Sequence, residues 1–182
     1  QKPHWHILSA IHNTEELEQL LLKDELDLAL VEGKLHSPYL YSTPIVTDYL
    51  TLITSPENEW SQRSLVEATE RSPLPVFVRE KGSGTRELFE TSMNRHHLCY
   101  QIIGVFNNSA AIKNAVMANL GVSALSRRLV QKELSQGTLQ ELSLTGLTFE
   151  RHFSLAYHKD KYIPPAMAEL LDICKNSTIW IP

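Results

Sequence analysis

Apolar and polar residues alternate over Trp5-His6-Ile7-Leu8-Ser9-Ala10-Ile11, the period of a strand with one buried face. The period then changes. Asn13-Thr14 precedes Glu15-Glu16-Leu17, with Leu20 and Leu21 at helical spacing, so Asn13 or Thr14 caps a helix. The short apolar run Asp27-Leu28-Ala29-Leu30-Val31, ended by Gly33, reads as a buried parallel strand after a crossover helix, completing a βαβ unit. Tyr39 to Ile45 and Tyr49 to Thr54 add two strand-like stretches before Ser55-Pro56-Glu57-Asn58 breaks the pattern, and a domain crossing is expected near Ser55.

The second half repeats the alternation of strand and helix. A short helix is predicted over Ser64 to Arg71, stopped by Ser72-Pro73-Leu74-Pro75, then a strand at Val76-Phe77-Val78 and a helix from the following glycines to about His97. Gln101 to Phe106 predicts a strand, and Asn107-Asn108-Ser109 starts a helix with Ile112, Ala115, Val116 and Leu120 on one face, ended by Gly121. Val122 to Ser126 predicts a strand, Arg127 to Leu134 a helix closed by Gly137, and 138–144 and 151–158 two more strands. Pro164-Pro165 starts a terminal helix through Cys174. The pattern is that of an α/β protein whose chain leaves one lobe and returns to it, with a cleft between lobes.

The candidate chemistry lies at Arg79-Glu-Lys-Gly-Ser-Gly-Thr-Arg86. A glycine turn that opens a helix leaves unpaired N–H groups at the positive end of the helix dipole, where an anion can sit. Gly84 is not followed by Lys and Ser or Thr, which excludes a Walker A loop, and the third glycine of the dinucleotide fingerprint is absent. The competing reading is that Ser83 or Thr85 only caps the helix.

Composition narrows the function. The 182 residues are 42% hydrophobic and 21% charged, values of an ordinary globular protein. A net charge of −4 speaks against this chain gripping nucleic acid by itself. No apolar stretch approaches the roughly 20 residues that span a bilayer, and the N-terminus lacks a signal-peptide pattern, so a cytoplasmic protein without membrane contact is expected. The absence of a starting Met suggests a fragment or processed product. Cys99 and Cys174 lack metal-ligand spacing and read as buried thiols in a reducing compartment. His4 and His6 would share a strand face, but no Cys, Asp or Glu completes a ligand set, so neither metal nor cofactor is expected. Gly82-Ser83-Gly84 has the wrong spacing for a nucleophile elbow, and no catalytic residues are assigned.

Three stretches in this order resemble the regulatory domain of LysR-type transcriptional regulators: Asn13 to Glu16 followed by Glu25 to Gly33; Arg79 to Arg86; and Ala111 to Val116 with Leu120 to Ser126. His158-Lys159-Asp160-Lys161-Tyr162 before the last helix extends the match over nearly the whole chain. The resemblance implies two Rossmann-like subdomains of the periplasmic-binding-protein type 2-like fold. Subdomain I would comprise 1–54 with 158–182, lacking the family's usual first strand and helix, and subdomain II 55–157. It implies a small effector in the inter-lobe cleft that modulates DNA binding and transcription by a full-length dimer or tetramer, with DNA held only by an N-terminal winged helix-turn-helix outside this chain. The alternative is a stand-alone solute-binding protein of the same fold.

Carried over by motif, the effector contacts are Thr14, Gly82, Ser83, Gly84, Thr85, Asn107, Asn108 and Ser109. Ser83 and Thr85 can donate hydroxyls to a carboxylate, sulfate or phosphate, while Arg79, Lys81 and Arg86 would raise the local potential, so an anionic effector fits best. Arg86 could instead pair with Glu90 one turn on, and Asn107 and Asn108 could be plain caps. On this reading, Thr85→Val weakens effector binding and leaves thermal stability nearly intact.

Overall fold

The computed structural model describes residues 6–62, 72–142 and 148–176. Contacts divide the chain into two compact units, unit 1 comprising 1–47 with 152–182 and unit 2 comprising 48–151. The crossings fall inside two strands, between Thr47 and Asp48 and between Arg151 and His152. The sequence reading put them at 54/55 and 157/158.

In unit 1, α1 (Thr14–Leu22) starts where Asn13 Oδ1 accepts from the Glu16 N–H at 3.0 Å. The cap is therefore Asn13, and Thr14 is the buried first residue of the helix. Leu17 and Leu21 pack with Ala29 and Val31 of β1 (Ala29–Val31) and with Leu40 and Ala156. Strand β1 pairs antiparallel with β7 (Phe149–His158), Ala29 opposite Ala156, so the parallel strand expected here is not formed. Residues 6–13 have no regular secondary structure. Alternation makes a strand only when a partner receives its ladder bonds and its apolar side chains find a surface. Neither holds for Ile11, which is fully exposed.

Lys161, in the turn before the last helix α5 (Pro165–Asn176), reaches Asp24 Oδ1 and Asp27 Oδ1 at 2.6 Å each, joining the two ends of the α1–β1 connection. That ammonium, as hydrogen-bond donor and then as charge, holds the Asp24 carboxyl below the usual aspartate range. A lowered pKa means the contact is present above the ordinary aspartate pKa and is lost as the pH falls through the depressed one. A carboxyl NMR titration should place the Asp24 midpoint below that of an aspartate in an unfolded peptide, and Lys161→Met should return it there.

Unit 2 contains the α/β core. The part of β2 (Leu40–Thr54) inside the unit runs antiparallel to β5 (Val122–Ser126) and to β6 (Gln140–Leu142). The two stretches read separately in the sequence are one strand. Strand β3 (Leu74–Arg79) lies parallel to both β4 (Tyr100–Phe106) and β5. Helix α2 (Gly84–Arg95) joins β3 to β4, and α3 (Ser109–Met117) joins β4 to β5, on the far side of β3. The two connections cover opposite faces. Phe89 and Met93 of α2 pack with Leu74, Val76 and Val78, whereas Ile112 and Val116 of α3 and Val130 of α4 (Arg127–Gln136) pack with Phe77 and Leu125. A short 3-10 turn (Glu59–Gln62) buries Trp60 against the first of these layers.

Other expectations are settled or left aside here. Leu120 lies beyond the end of α3 and is exposed, and Cys99 is exposed rather than buried. The helix read over 64–71 lies outside the described residues, as does the end of the strand read over 138–144. Gly137 closes α4 with a φ of 71°, and a Cβ there would meet nothing within 4 Å. Gly137→Ala should therefore cost about 1 kcal/mol from backbone conformation alone. A drop in the urea midpoint with unchanged slope checks it.

Candidate functional site

Because β3, β4 and β5 are parallel, their carboxyl ends lie on one edge of the unit 2 sheet, and β3 sits between the two strands reached through opposite faces. In open α/β sheets this switch point is where the connections part and leave a crevice for a ligand. Three loops of this chain start there. They are the glycine turn after Arg79, Asn107-Asn108 after Phe106, and the Ser126–Arg127 junction.

The glycine turn has the shape the sequence implied. Gly82 takes a φ of 83°, which an L side chain rarely adopts, and Ser83 follows at the N-cap position of α2. The Ser83 hydroxyl makes no capping bond, is buried, and has no hydrogen-bond partner. The capping role that competed with ligand binding is thus not performed by this side chain. Gly84 is the first residue of the helix, and the buried Thr85 follows it.

Around the turn, Arg86 takes the pairing with Glu90 that competed with a role at the ligand, and Arg79 turns to Glu80. Arg79 donates twice to Glu80, Nε to Oε2 at 2.8 Å and Nη2 to Oε1 at 2.9 Å, and Arg86 Nε donates to Glu90 Oε1 at 2.8 Å. Both guanidinium groups therefore face a carboxylate, and Lys81 stands exposed. Asn108 Oδ1 accepts from the Ala111 N–H at 2.8 Å, capping α3, while its amide donates to Asn107 Oδ1. Ser109 Oγ receives a 3.4 Å contact from Arg79 Nη1, which brings the second predicted loop against the first. Thr14 belongs to unit 1.

What the sequence reading missed is a buried ionic cluster beneath the turn. Asp48 accepts from Arg151 Nε at 2.8 Å and from Ser126 Oγ at 2.8 Å, and Arg128 Nε lies 3.7 Å from the same carboxylate. Arg151 Nη1 also donates to Thr85 Oγ1 at 2.8 Å. Asp48 is 1% exposed and Arg151 7%, so this is an interior ion pair. A signal existed. Phe149, Arg151, Phe153 and Leu155 fall on one period-2 face, and a charge among inward apolar positions requires a buried partner.

The Arg151 contact corrects the expectation for Thr85→Val. Valine would remove the acceptor of a buried guanidinium, so a stability loss of about 1–3 kcal/mol should accompany any loss of binding. Thermal unfolding of that variant beside Thr85→Ser, which keeps the oxygen, tests this.

Among the described residues no group of three or more His, Cys, Asp or Glu side chains could hold a metal ion. No helix among them is long and apolar enough to cross a membrane.

The parallel core of unit 2, with helix N-termini at the carboxyl ends of its strands, is that of an α/β ligand-binding domain, of the periplasmic-binding-protein type 2-like class. The chain belongs to the LysR substrate binding domain family, whose model matches residues 1–178. It is 30% identical over 177 residues to the uncharacterized HTH-type transcriptional regulator YeiE of Escherichia coli K12, covering 97% of this chain and 60% of that protein. The chain spans 33–60% of the length of the curated relatives it matches, 60% in the case of YeiE.

Two solved structures are similar in fold. The regulatory domain of Synechocystis PCC6803 CcmR in complex with 2-PG superposes with a TM-score of 0.75 at 23% identity, covering 90% of this chain and 78% of that one. The effector binding domain of QuiR in complex with shikimate gives 0.77 at 18% identity, covering 90% and 77%.

Proposed function

We propose that this domain senses a small anion held at the N-terminus of α2, and that occupancy modulates DNA binding and transcription by the full-length, self-associating cytoplasmic regulator. The observation that carries the reading is the Ser83 hydroxyl. A buried hydroxyl without a partner costs about 1–3 kcal/mol, which a bound acceptor would recover. It sits where the backbone N–H groups of Gly84, Thr85 and Arg86 begin the helix, the end that favours negative charge. With Arg79 and Arg86 engaged by carboxylates, preference for an anion rests on these N–H groups and on Ser83 more than on free cationic side chains. Gly82, Asn107, Asn108 and Ser109 would line the same switch point.

Shikimate, the ligand of one structural neighbour, is a carboxylate and fits this chemistry. DNA contact is assigned to a part of the regulator outside this chain, in keeping with the HTH-type relatives and the net charge of −4. The site needs an effector and no cofactor.

The test is Ser83→Ala with a thermal-shift screen of small carboxylates and oxyanions. A ligand at 100 times its Kd stabilises the folded state by about 2.7 kcal/mol. The wild type should show such a shift, and the variant should lose most of it while melting at the same temperature or higher without ligand. Equal ligand-induced shifts in both proteins would refute the assignment of Ser83.

A further inference from the structure

Arg151 occupies a special place in unit 2. It is the last residue of the unit on β7, and Asp48 is the first on β2. The carboxylate of Asp48 is held in turn by Ser126 Oγ, at the carboxyl end of β5. Through Arg151 Nη1 the cluster reaches Thr85, in the first turn of α2. Four chain segments therefore converge on one guanidinium and its counter-ion, directly under the glycine turn.

We infer that Arg151 is a positioning residue for the anion site: fixed by Asp48, it sets the orientation of the Thr85 side chain and holds the first turn of α2 in its binding shape. This rests on the proposed site at Ser83 to Arg86. Threonine in a helix divides between two χ1 rotamers, so its hydroxyl orientation is set by whichever partner it finds. Arg151 supplies that partner with a planar, permanently charged donor fork, and Asp48 prevents the fork from rotating. A buried ion pair is a poor source of stability compared with apolar residues of the same volume. It is well suited to fixing geometry, because binding groups must be held within about 0.5 Å of their working position by the side chains behind them.

The test is a ¹H–¹⁵N titration with inorganic sulfate, read at the amides of residues 83–86, in the wild type and four variants. Asp48→Asn/Arg151→Gln removes both charges together and keeps polar partners, so no lone charge is left buried. It should remain folded and bind sulfate on the order of tenfold more weakly. Thr85→Val should weaken wild-type binding by a similar factor and add nothing in the Asp48→Asn/Arg151→Gln background, because the hydroxyl is no longer held there. Thr85→Ser should retain binding. If the double variant does not fold, Arg151→Lys keeps the charge, loses the fork, and carries the same comparison.

Unchanged sulfate affinity in the pair variant, or in Arg151→Lys where that replaces it, would overturn the positioning role, as would a full Thr85→Val effect in the same background. Absence of any sulfate shift at residues 83–86 in the wild type would overturn the proposed site and this role together. Binding that is indifferent to Arg151 would overturn the role alone.

Discussion

Replacing Asp48 by Ala is expected to destabilise unit 2 by about 3–5 kcal/mol, because it strands the buried Arg151 guanidinium without its counter-ion. The same change removes the acceptor of Ser126 Oγ. Domains of this kind are stable by roughly 5–15 kcal/mol, so the loss should appear as a large fall in the denaturant midpoint. Asp48→Asn keeps an acceptor and should cost less. Adding Arg151→Gln to Asp48→Asn should recover stability, since the uncompensated charge is then gone. A double-mutant cycle measures the coupling directly, and a coupling near zero would show that the two residues do not act as a pair.

Phe89→Ala should have an effect of similar size by a different route. Phe89 is buried on the inner face of α2, its ring 5.2 Å from that of Tyr100 in an edge-on contact and 6.3 Å from the near-parallel ring of Phe149. Truncation deletes the apolar transfer term and leaves a cavity among Leu74, Val76 and Met93, for about 3–5 kcal/mol. Hydrogen exchange should quicken most in β3 and α2, the elements that close over the ring. Exchange rates equal to the wild type there would contradict the packing described. The variant should also loosen the glycine turn, since Ser83 stands at the N-cap position of α2 and Phe89 lies about 1.7 turns further on.

The contrast between well-read and misread elements follows physical lines. Helix α4 was readable to within two residues because Gly137 terminates it with a positive φ, a property of that residue type. The glycine turn was readable for the same reason at Gly82. The segment from Ile7 to Ile11 was not, because alternation states only that a strand could form, and among the described residues no strand pairs with it. Strand β1 shows the same dependence, its apolar run being compatible with parallel or antiparallel pairing, and the antiparallel β7 is the neighbour it meets.

At the candidate site the division is sharper. The sequence by itself determined the local chemistry: a glycine able to take φ 83°, the N-terminal end of a helix, and hydroxyls at Ser83 and Thr85. The Arg86–Glu90 pair was legible too, as two residues one helical turn apart, whereas the pairing of Arg79 with Glu80 was not. Only the tertiary structure decided what stands beneath them. Thr85 and Arg151 are 66 residues apart, Ser126 and Asp48 78, and Arg151 and Asp48 103. Turn and cap geometry depends on a few adjacent dihedrals, which residue type constrains directly. A buried ion pair depends on strand order and register, which only the folded sheet sets.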